Sequence, residues 1–442
     1  MSLDSITVDQ IPQGVRTLCA RLQRKGYQAW LVGGCVRDLL RGVGAKDWDI
    51  ASEATPEQVM EVFPKVIPTG VDHGTVTVLW SGESFEVTTL RGEGAYTDGR
   101  RPDSVFFVKE IEQDLARRDF TVNAIACVPE SAELIDPFGG RQDLRSGQIR
   151  AVGEALERFQ EDGLRVLRAA RFCASLEFDL ETETEAAISK TLDVFAKVSA
   201  ERVREEWLKA LRSRKPSRAI DAMQRTGILG VTFPELLLLG DTLAKNAQAM
   251  DLCEAGECSR LAVLFANVGT QGMTKQPHEV RASHSASVVD GWMRQYRFSN
   301  QERRDTCHLL KTVVDANRLT PGDSASFRRF ASRAEPEPAL AALEMAEAQS
   351  KARSDLERAA HWALCQTELQ EVLKQRPPLA ISDLAVRGGG VIAHVGVPGG
   401  AWVKEALAVL LDVVLSDPAK NNEEALFLEL DAWHASQNGS SA

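Results

Sequence analysis

Residues 30–50 constrain this chain more tightly than any other stretch. They read Trp30-Leu31-Val32-Gly33-Gly34-Cys35-Val36-Arg37-Asp38-Leu39-Leu40, then a short glycine-containing connection, then Lys46-Asp47-Trp48-Asp49-Ile50. The apolar run Trp30-Leu31-Val32 has the length of a buried strand, and Gly33-Gly34 ends it where a helix over residues 35–41 can begin. A strand, a glycine turn and a helix start aim backbone N–H groups at one point, with no Cβ to hold a phosphate away. Arg37 adds a fixed positive charge there. The following segment is expected to be extended, and because strand side chains alternate, Asp47 and Asp49 project from one face while Trp48 and Ile50 project from the other. Two carboxylates in that relation can hold a pair of Mg²⁺ ions, which lie roughly 3.5 to 4 Å apart in two-metal sites. Taken singly, a Gly-Gly is an ordinary turn and an Asp-x-Asp an ordinary solvated strand edge. About ten residues apart and in this order, they are the equipment of nucleotidyl transfer.

The chain has neither a Gly-x-x-x-x-Gly-Lys-Ser/Thr loop nor a complete Gly-x-Gly-x-x-Gly after a strand, which sets the usual mononucleotide and dinucleotide folds aside. Its 442 residues are too many for one compact core and point to two to four domains. No apolar run reaches bilayer length and the first ten residues are polar, so a cytoplasmic protein with no membrane partner is expected. The eight cysteines show no Cys-x-x-Cys pair, Cys253 and Cys258 being nearest, and are expected as reduced structural thiols rather than zinc ligands. A formal net charge of −11 argues against a general nucleic-acid binder. Between residues 201 and 226, however, Arg202, Arg204, Lys209, Arg212, Arg214, Lys215, Arg218 and Arg225 outnumber the acids. Such a stripe is either an RNA-facing surface or a helix face laced with ion pairs.

Along the chain, Val15, Leu18, Cys19 and Leu22 mark an amphipathic helix over residues 3–26, and Thr55-Pro56 reads as an N-cap followed by the first helical position. Residues 76–79 and 85–89 alternate like two antiparallel strands around the turn at Ser81-Gly82-Glu83. Glu86, on the second, is either a third acidic group near the metals or an exposed strand residue. The glycine- and charge-rich segment over residues 90–103 cannot bury itself and is expected as a mobile loop. Asp114-Leu115-Ala116-Arg117-Arg118-Asp119 precedes a short helix near Phe120-Thr121-Val122-Asn123. Residues 161–172 read as one helix on which Asp162, Arg165, Arg168 and Arg171 recur every three residues, an excess of arginine that calls for an anion. Beyond residue 154 strand signals fade, with helices over 201–211 and 216–226.

The order Leu-Val-Gly-Gly-Cys-Val-Arg-Asp, Lys-Asp-Trp-Asp, Arg-Arg-Pro-Asp, Arg-Arg-Asp-Phe-Thr-Val-Asn-Ala and Glu-Asp-Gly-Leu-Arg resembles the class II tRNA nucleotidyltransferases, the CCA-adding enzymes and their poly(A) polymerase relatives. The matching blocks cover roughly residues 30–230. The resemblance implies an α+β architecture: a mixed α/β nucleotidyltransferase head with a polymerase-β-like palm over 1–150, then an all-α neck (151–226), body (227–320) and tail (321–442), the tail binding tRNA. It implies Mg²⁺ as cofactor and the tRNA 3′ end, CTP and ATP as partners. It assigns Asp47 and Asp49 to the metal, Gly33, Gly34 and Arg37 to the triphosphate, Arg118 and Asn123 to the nucleotide, Asp162 and Arg165 to the base, and Arg168 and Arg171 to further nucleotide contacts. Cytosine and adenine each place an exocyclic amine beside a ring-nitrogen acceptor, which suits an Asp/Arg pair; uracil and guanine present the reverse. Full CCA addition is the expected activity. An A-adding enzyme working beside a CC-adding partner, or a poly(A) polymerase, shares most of these blocks.

Leu261-Ala262-Val263-Leu264-Phe265-Ala266-Asn267 resembles the His-Asp helix that some family members carry in a metal phosphohydrolase domain, with Ala266-Asn267 at the ligand positions. A packing role is expected there, with His278, His284 and His308 as ordinary residues. The stretch Gly396-Val397-Pro398-Gly399-Gly400-Ala401-Trp402-Val403 resembles a C-terminal element of longer bacterial CCA-adding enzymes, and residues 436–442 are expected to be disordered.

Overall fold

The computed structural model describes residues 5–45, 47–71, 74–93, 105–254 and 256–439. These fall into two compact units, 1–234 and 235–442. Of the mobile loop expected over 90–103, Arg91–Glu93 form a strand instead, and residues 94–104, which include Arg100-Arg101-Pro102-Asp103, lie outside the described residues.

The first unit opens with a 3₁₀ turn (Val8–Gln10) and helix α1 (Gln13–Gln23), which buries Val15, Leu18, Cys19 and Leu22. The single long helix expected over 3–26 is therefore divided, because Pro12 at the N-cap lacks an N–H and cannot continue a helix begun before it. There follow β1 (Ala29–Val32), α2 (Gly34–Leu40), β2 (Asp49–Ser52), α3 (Pro56–Val62), β3 (Val66–Gly70), β4 (Thr75–Trp80) and β5 (Glu83–Thr89). Thr55 caps α3 with a reciprocal Gln58 contact and Pro56 opens it, as the sequence indicates. Next come the hairpin β6 (Arg91–Glu93) and β7 (Val105–Phe107), α4 (Ile111–Ala116), a 3₁₀ turn (Thr121–Asn123), β8 (Ala126–Cys127), β9 (Leu134–Ile135) and α5 (Gly140–Ser146). Seven strands form one sheet in the order β3-β4-β5-β2-β1-β8-β9, with β2 parallel to β5 and the other neighbours antiparallel. Val32, Ala51, Leu90, Leu115 and Ala126 pack together beneath it.

A short parallel pair, β10 (Gln148–Ile149) and β11 (Asp179–Leu180), ties the sheet domain to the helices α6 (Ala155–Glu161), α7 (Leu164–Leu176), α8 (Thr182–Lys190), α9 (Leu192–Phe195), α10 (Ala200–Leu211), α11 (Pro216–Arg225) and α12 (Ile228–Thr232). The expected continuous helix over 161–172 is broken at Asp162-Gly163. Asp162 is extended (φ −140°, ψ 104°), and one of its oxygens accepts from the Leu164 backbone N–H at 3.0 Å. The break has a packing cause: a Cβ on Gly163 would lie 2.8 Å from the backbone of Val194 and Phe195. Phe172 of α7 meets Phe120 edge-on at 5.5 Å, and Trp207 of α10 is fully buried.

The second unit is all helical: α13 (Asp241–Met250), α14 (Glu257–Leu264), α15 (His278–Gln295), α16 (Asn300–Asp315), α17 (Ser324–Ala334), α18 (Pro336–Ala352), α19 (Leu356–Lys374), α20 (Gly388–Val395), α21 (Ala401–Ser416) and α22 (Glu423–Gly439). It has one core around Phe327, Phe330, Leu343, Trp362 and Leu369 and a second around Leu384, Val391, Leu410, Val414, Leu426 and Leu430. Residues 436–439, expected to be disordered, continue α22; 440–442 lie outside the described residues. Among the described residues no helix is long and apolar enough to cross a membrane.

Gly163→Ala should lower the unfolding free energy by about 1 to 3 kcal/mol through overpacking against Val194 and Phe195. Urea denaturation checks it; an unchanged midpoint would show that the two segments part without cost.

Candidate active site

The Gly33-Gly34 turn joins β1 to α2 as the sequence indicates. Gly33 sits at φ +76°, ψ −131°, and a Cβ there would lie 2.9 Å from Arg118 Nη1 and 3.7 Å from Asp49 Oδ2. One missing methyl group thus keeps open the point where an arginine and an acidic strand residue converge.

Asp49 opens β2 and pairs in register with Glu86 on the parallel neighbour β5, so the two carboxylates are adjacent across the sheet. Asp47 is not on the strand, as the alternation argument requires, but in the bend before it, exposed, while Asp49 is half-buried. The reason is local: strand pairing to β1 runs only from Ile50 to Ser52, and no neighbour holds residue 47 in the ladder. Burial raises the Asp49 carboxyl pKa, Arg118 opposes that, and the Asp47 charge adds to it. Glu86 is likewise raised, first by partial burial and then by the charges of Asp49 and Asp47. The three acids repel one another, an arrangement that a cation relieves. Among the described residues no three His, Cys, Asp or Glu side chains converge tightly enough to enclose a metal. An open set of carboxylates suits Mg²⁺, which is held by one or two carboxylates together with water and substrate phosphates.

Around this cluster runs an alternating chain of charges. Asp114, on α4, accepts from Arg117 at 2.7 Å and Arg118 at 3.2 Å. Asn123 receives Arg37 Nη1 at 2.8 Å on its side-chain oxygen and donates to Asp119 at 3.1 Å. Asp119 then takes Arg168 of α7, with Nε at 2.8 Å and Nη2 at 2.5 Å. Arg171 pairs at 2.5 Å with Glu206 of α10, which also holds Lys209 at 3.0 Å. The guanidiniums of Arg37, Arg168 and Arg171 surround the Phe172 ring at 5.7, 5.6 and 3.8 Å. Burial pushes the Asp119 carboxyl pKa up, but Arg168 and Asn123 more than reverse it, to about 2. The depressed pKa means the pair stabilises the fold fully above about pH 4, near the unfolded carboxyl value, and ceases to do so as pH falls toward 2.

The structure therefore brings Gly33, Gly34, Arg37, Arg118, Asn123, Arg168 and Arg171 into one network beside Asp49 and Glu86. It does not join the side chains of Asp162 and Arg165 to each other. Asp162 Oδ2 accepts from Arg202 of α10 at 2.7 Å. The buried Arg165 donates to the Arg158 carbonyl at 2.9 Å, the Arg117 carbonyl at 3.0 Å and the Glu161 carboxylate. The anion expected for the arginine row is supplied by the protein itself, as Glu161, Asp119 and Glu206. The roles of Asp119, Glu161, Arg202 and Glu206 are not read from the sequence: Asp119 and Glu161 stand inside quoted blocks and Arg202 in the basic stripe, but their pairings, and Glu206 altogether, are supplied by the structure. The basic stripe resolves in part as ion pairing: Arg202 to Asp162, Lys209 to Glu206, Arg218 to Asp179 at 2.6 Å, and Arg225 to Asp221 at 3.0 Å.

Comparison with known proteins shows the family. Residues 29–150 match the poly(A) polymerase head domain, residues 177–239 a domain described as the RNA- and SrmB-binding site of polymerase A, and residues 280–430 the tRNA nucleotidyltransferase domain 2. The chain is 35% identical over 422 residues to the CCA-adding enzyme of Geobacillus stearothermophilus, covering 95% of each protein. It is 34% identical over 426 residues to that of Lactobacillus delbrueckii subsp. bulgaricus, covering 96% of this chain and 98% of the relative. The crystal structure of the Bacillus stearothermophilus CCA-adding enzyme in complex with CTP superposes with a TM-score of 0.76 at 32% identity, over 97% of this chain and 98% of that one. The Thermotoga maritima CCA-adding enzyme complexed with tRNA shares the fold, with a TM-score of 0.61 at 19% identity, over 96% of this chain and 97% of that one.

Because its charged form is disfavoured by burial and by like charge, Asp49 should cost the metal-free protein stability. Its raised pKa places that cost above the ordinary carboxyl range and removes it in acid. Asp49→Asn should accordingly stabilise the metal-free protein at pH 7 by on the order of 1 kcal/mol, with no gain at pH 4. Thermal unfolding at both pH values in EDTA checks it, and a destabilised variant at pH 7 would refute the repulsion.

Proposed function

The chain belongs to the CCA-adding enzyme family, and from that premise we propose that it builds or repairs the 3′-terminal CCA of tRNA in the cytoplasm, without a template, from CTP and ATP with Mg²⁺. The observation that carries the reading is the convergence of Gly33, Arg118 and Asp49, where a phosphate cradle and an acidic pair share one opening.

In the reaction, the tRNA 3′ hydroxyl attacks the α-phosphate of the bound nucleotide and pyrophosphate leaves. Asp47 and Asp49 would hold the metal, which when bound supplies charge neutralisation for the phosphates and a more acidic hydroxyl. The glycine turn admits the triphosphate close to the backbone, and Arg37, pinned by Asn123, and Arg118, pinned by Asp114, offer charge at fixed positions. Glu86, whose pKa is raised beside Asp49, would accept the hydroxyl proton.

Base choice falls to Asp162 and Arg165. Their existing bonds orient them without exhausting them. A carboxylate oxygen has two lone pairs, so Asp162 Oδ2 can accept an exocyclic amine while keeping Arg202. Arg165 spends three of its five N–H groups on Arg158, Arg117 and Glu161, and the remaining two face the task of donating to a ring nitrogen. A pair fixed in this way favours cytosine and adenine over uracil and guanine by about 1 to 3 kcal/mol per bidentate contact.

Purified protein given tRNAs that lack the last one, two or three nucleotides, with each nucleoside triphosphate separately, should add C, C and A in order. Addition of A alone would assign it to the A-adding branch, and repeated A addition to poly(A) synthesis. Asp47→Ala or Asp49→Ala should reduce incorporation at least a thousandfold, and full activity in either would remove the metal assignment.

Asp162→Ala should let UTP and GTP compete with CTP and ATP to within about tenfold, the equivalent of losing one bidentate contact. Unchanged nucleotide choice in competition assays would overturn the base-reading role.

A further inference from the structure

The second unit contains a cavity of about 790 Å³ whose wall includes Ala266 and Asn267. Four arginines line it, Arg281, Arg318, Arg353 and Arg358, against two acids, Glu279 and Asp355. Both acids are committed: Glu279 pairs with Arg318 at 2.8 Å, and Asp355 caps α19 by accepting the Arg358 backbone N–H at 3.1 Å.

The other three guanidiniums make their hydrogen bonds to neutral oxygens. Arg281 donates to the Asn267 amide at 3.2 Å, and its Nε is buried with no partner. Arg353 donates to the Asn246 amide and the Gln349 carbonyl, both at 2.9 Å, and Arg358 to the Asn317 amide at 2.6 Å. Desolvation lowers the Arg353 pKa with no carboxylate opposing it. In a chain with a formal net charge of −11, a concave wall bearing three guanidiniums without carboxylate partners focuses a positive field.

We propose that this cavity is a second anion site, separate from the head and independent of its activity, that takes a small free phosphate-bearing molecule of diphosphate class. The planar fork of arginine suits bidentate contact with phosphate oxygens, and the buried Arg281 Nε is a donor in want of such an acceptor. The volume lies within the range of pockets that hold a small molecule.

The test is calorimetric titration of the full chain with inorganic pyrophosphate, in EDTA so that metal-assisted binding at the head is absent. Arg281→Gln/Arg353→Gln should weaken binding at least tenfold while leaving single-nucleotide incorporation within twofold of the parent. Arg37→Ala, in the head, should leave the isotherm unchanged. If the double variant melts early, Arg358→Gln at an exposed position carries the test, with at least a threefold loss expected. The proposal is overturned if the double variant binds as the parent does, if Arg37→Ala abolishes binding, or if the cavity variants weaken only tRNA binding, which would assign the arginines to nucleic-acid backbone.

Discussion

The ion pair between Asp119 and Arg168 is the contact on which the arrangement of the active site depends. Asp119 lies between the sheet domain and its helices, and its two oxygens serve different masters: one receives Asn123 and the Phe120 N–H, the other the fork of Arg168. Asn123 in turn fixes Arg37, so Arg37 and the first helix after Gly163 are set by one carboxylate. With Asp119 buried and Arg168 about a third exposed, removing either partner strands the other, a loss of about 3 to 5 kcal/mol for a buried pair, here reduced by the solvent that reaches Arg168. Replacing both with apolar groups would lose less stability and all of the positioning.

The network also separates two kinds of charge. Arg37, Arg118, Arg168 and Arg171 each have a carboxylate partner in the protein, so their positions are set by folding. The acidic cluster is the opposite case. Asp49 and Glu86 lie side by side with raised pKa values, and part of their electrostatic cost is carried by the folded state until a cation arrives. Stability is lodged in the arginines and forgone at the carboxylates, an asymmetry expected where binding and chemistry fall to different residues.

Much of this was legible in the sequence because it is local. The Gly33-Gly34 turn, the Thr55-Pro56 cap and the β4-β5 hairpin each follow from a few adjacent residues with strong conformational preferences. What was not legible is set by contacts distant in the chain. The helix break at Gly163 exists because the backbone of Val194 and Phe195 passes within 2.8 Å of where a Cβ would stand. Two partners of the arginine row come from 119 and 206, which no spacing rule connects, whereas Glu161 stands four residues before Arg165 and was within reach of one. Asp47 left the strand for a related reason: on one side β1 ends at Val32 and pairs only as far as Ile50, and periodicity in one segment carries no information about its neighbour's length.

The charge of the whole chain misleads in the same way. A net −11 argues against partners that are themselves polyanions, yet Arg37, Arg168 and Arg171 gather around one phenylalanine ring in the first unit and Arg281, Arg318, Arg353 and Arg358 line one cavity in the second. Coulomb interactions between exposed charges fade within about 8 to 10 Å at physiological ionic strength, so a ligand at either place is governed by the nearest few groups rather than by the sum. The two clusters differ in what answers them. In the first, Asp119, Glu161 and Glu206 supply matching carboxylates and hold the arginines as a scaffold. In the second, Arg281, Arg353 and Arg358 rest on amide and carbonyl oxygens, which orient a guanidinium but do not neutralise it. The charge is left available to whatever anion fits the chamber.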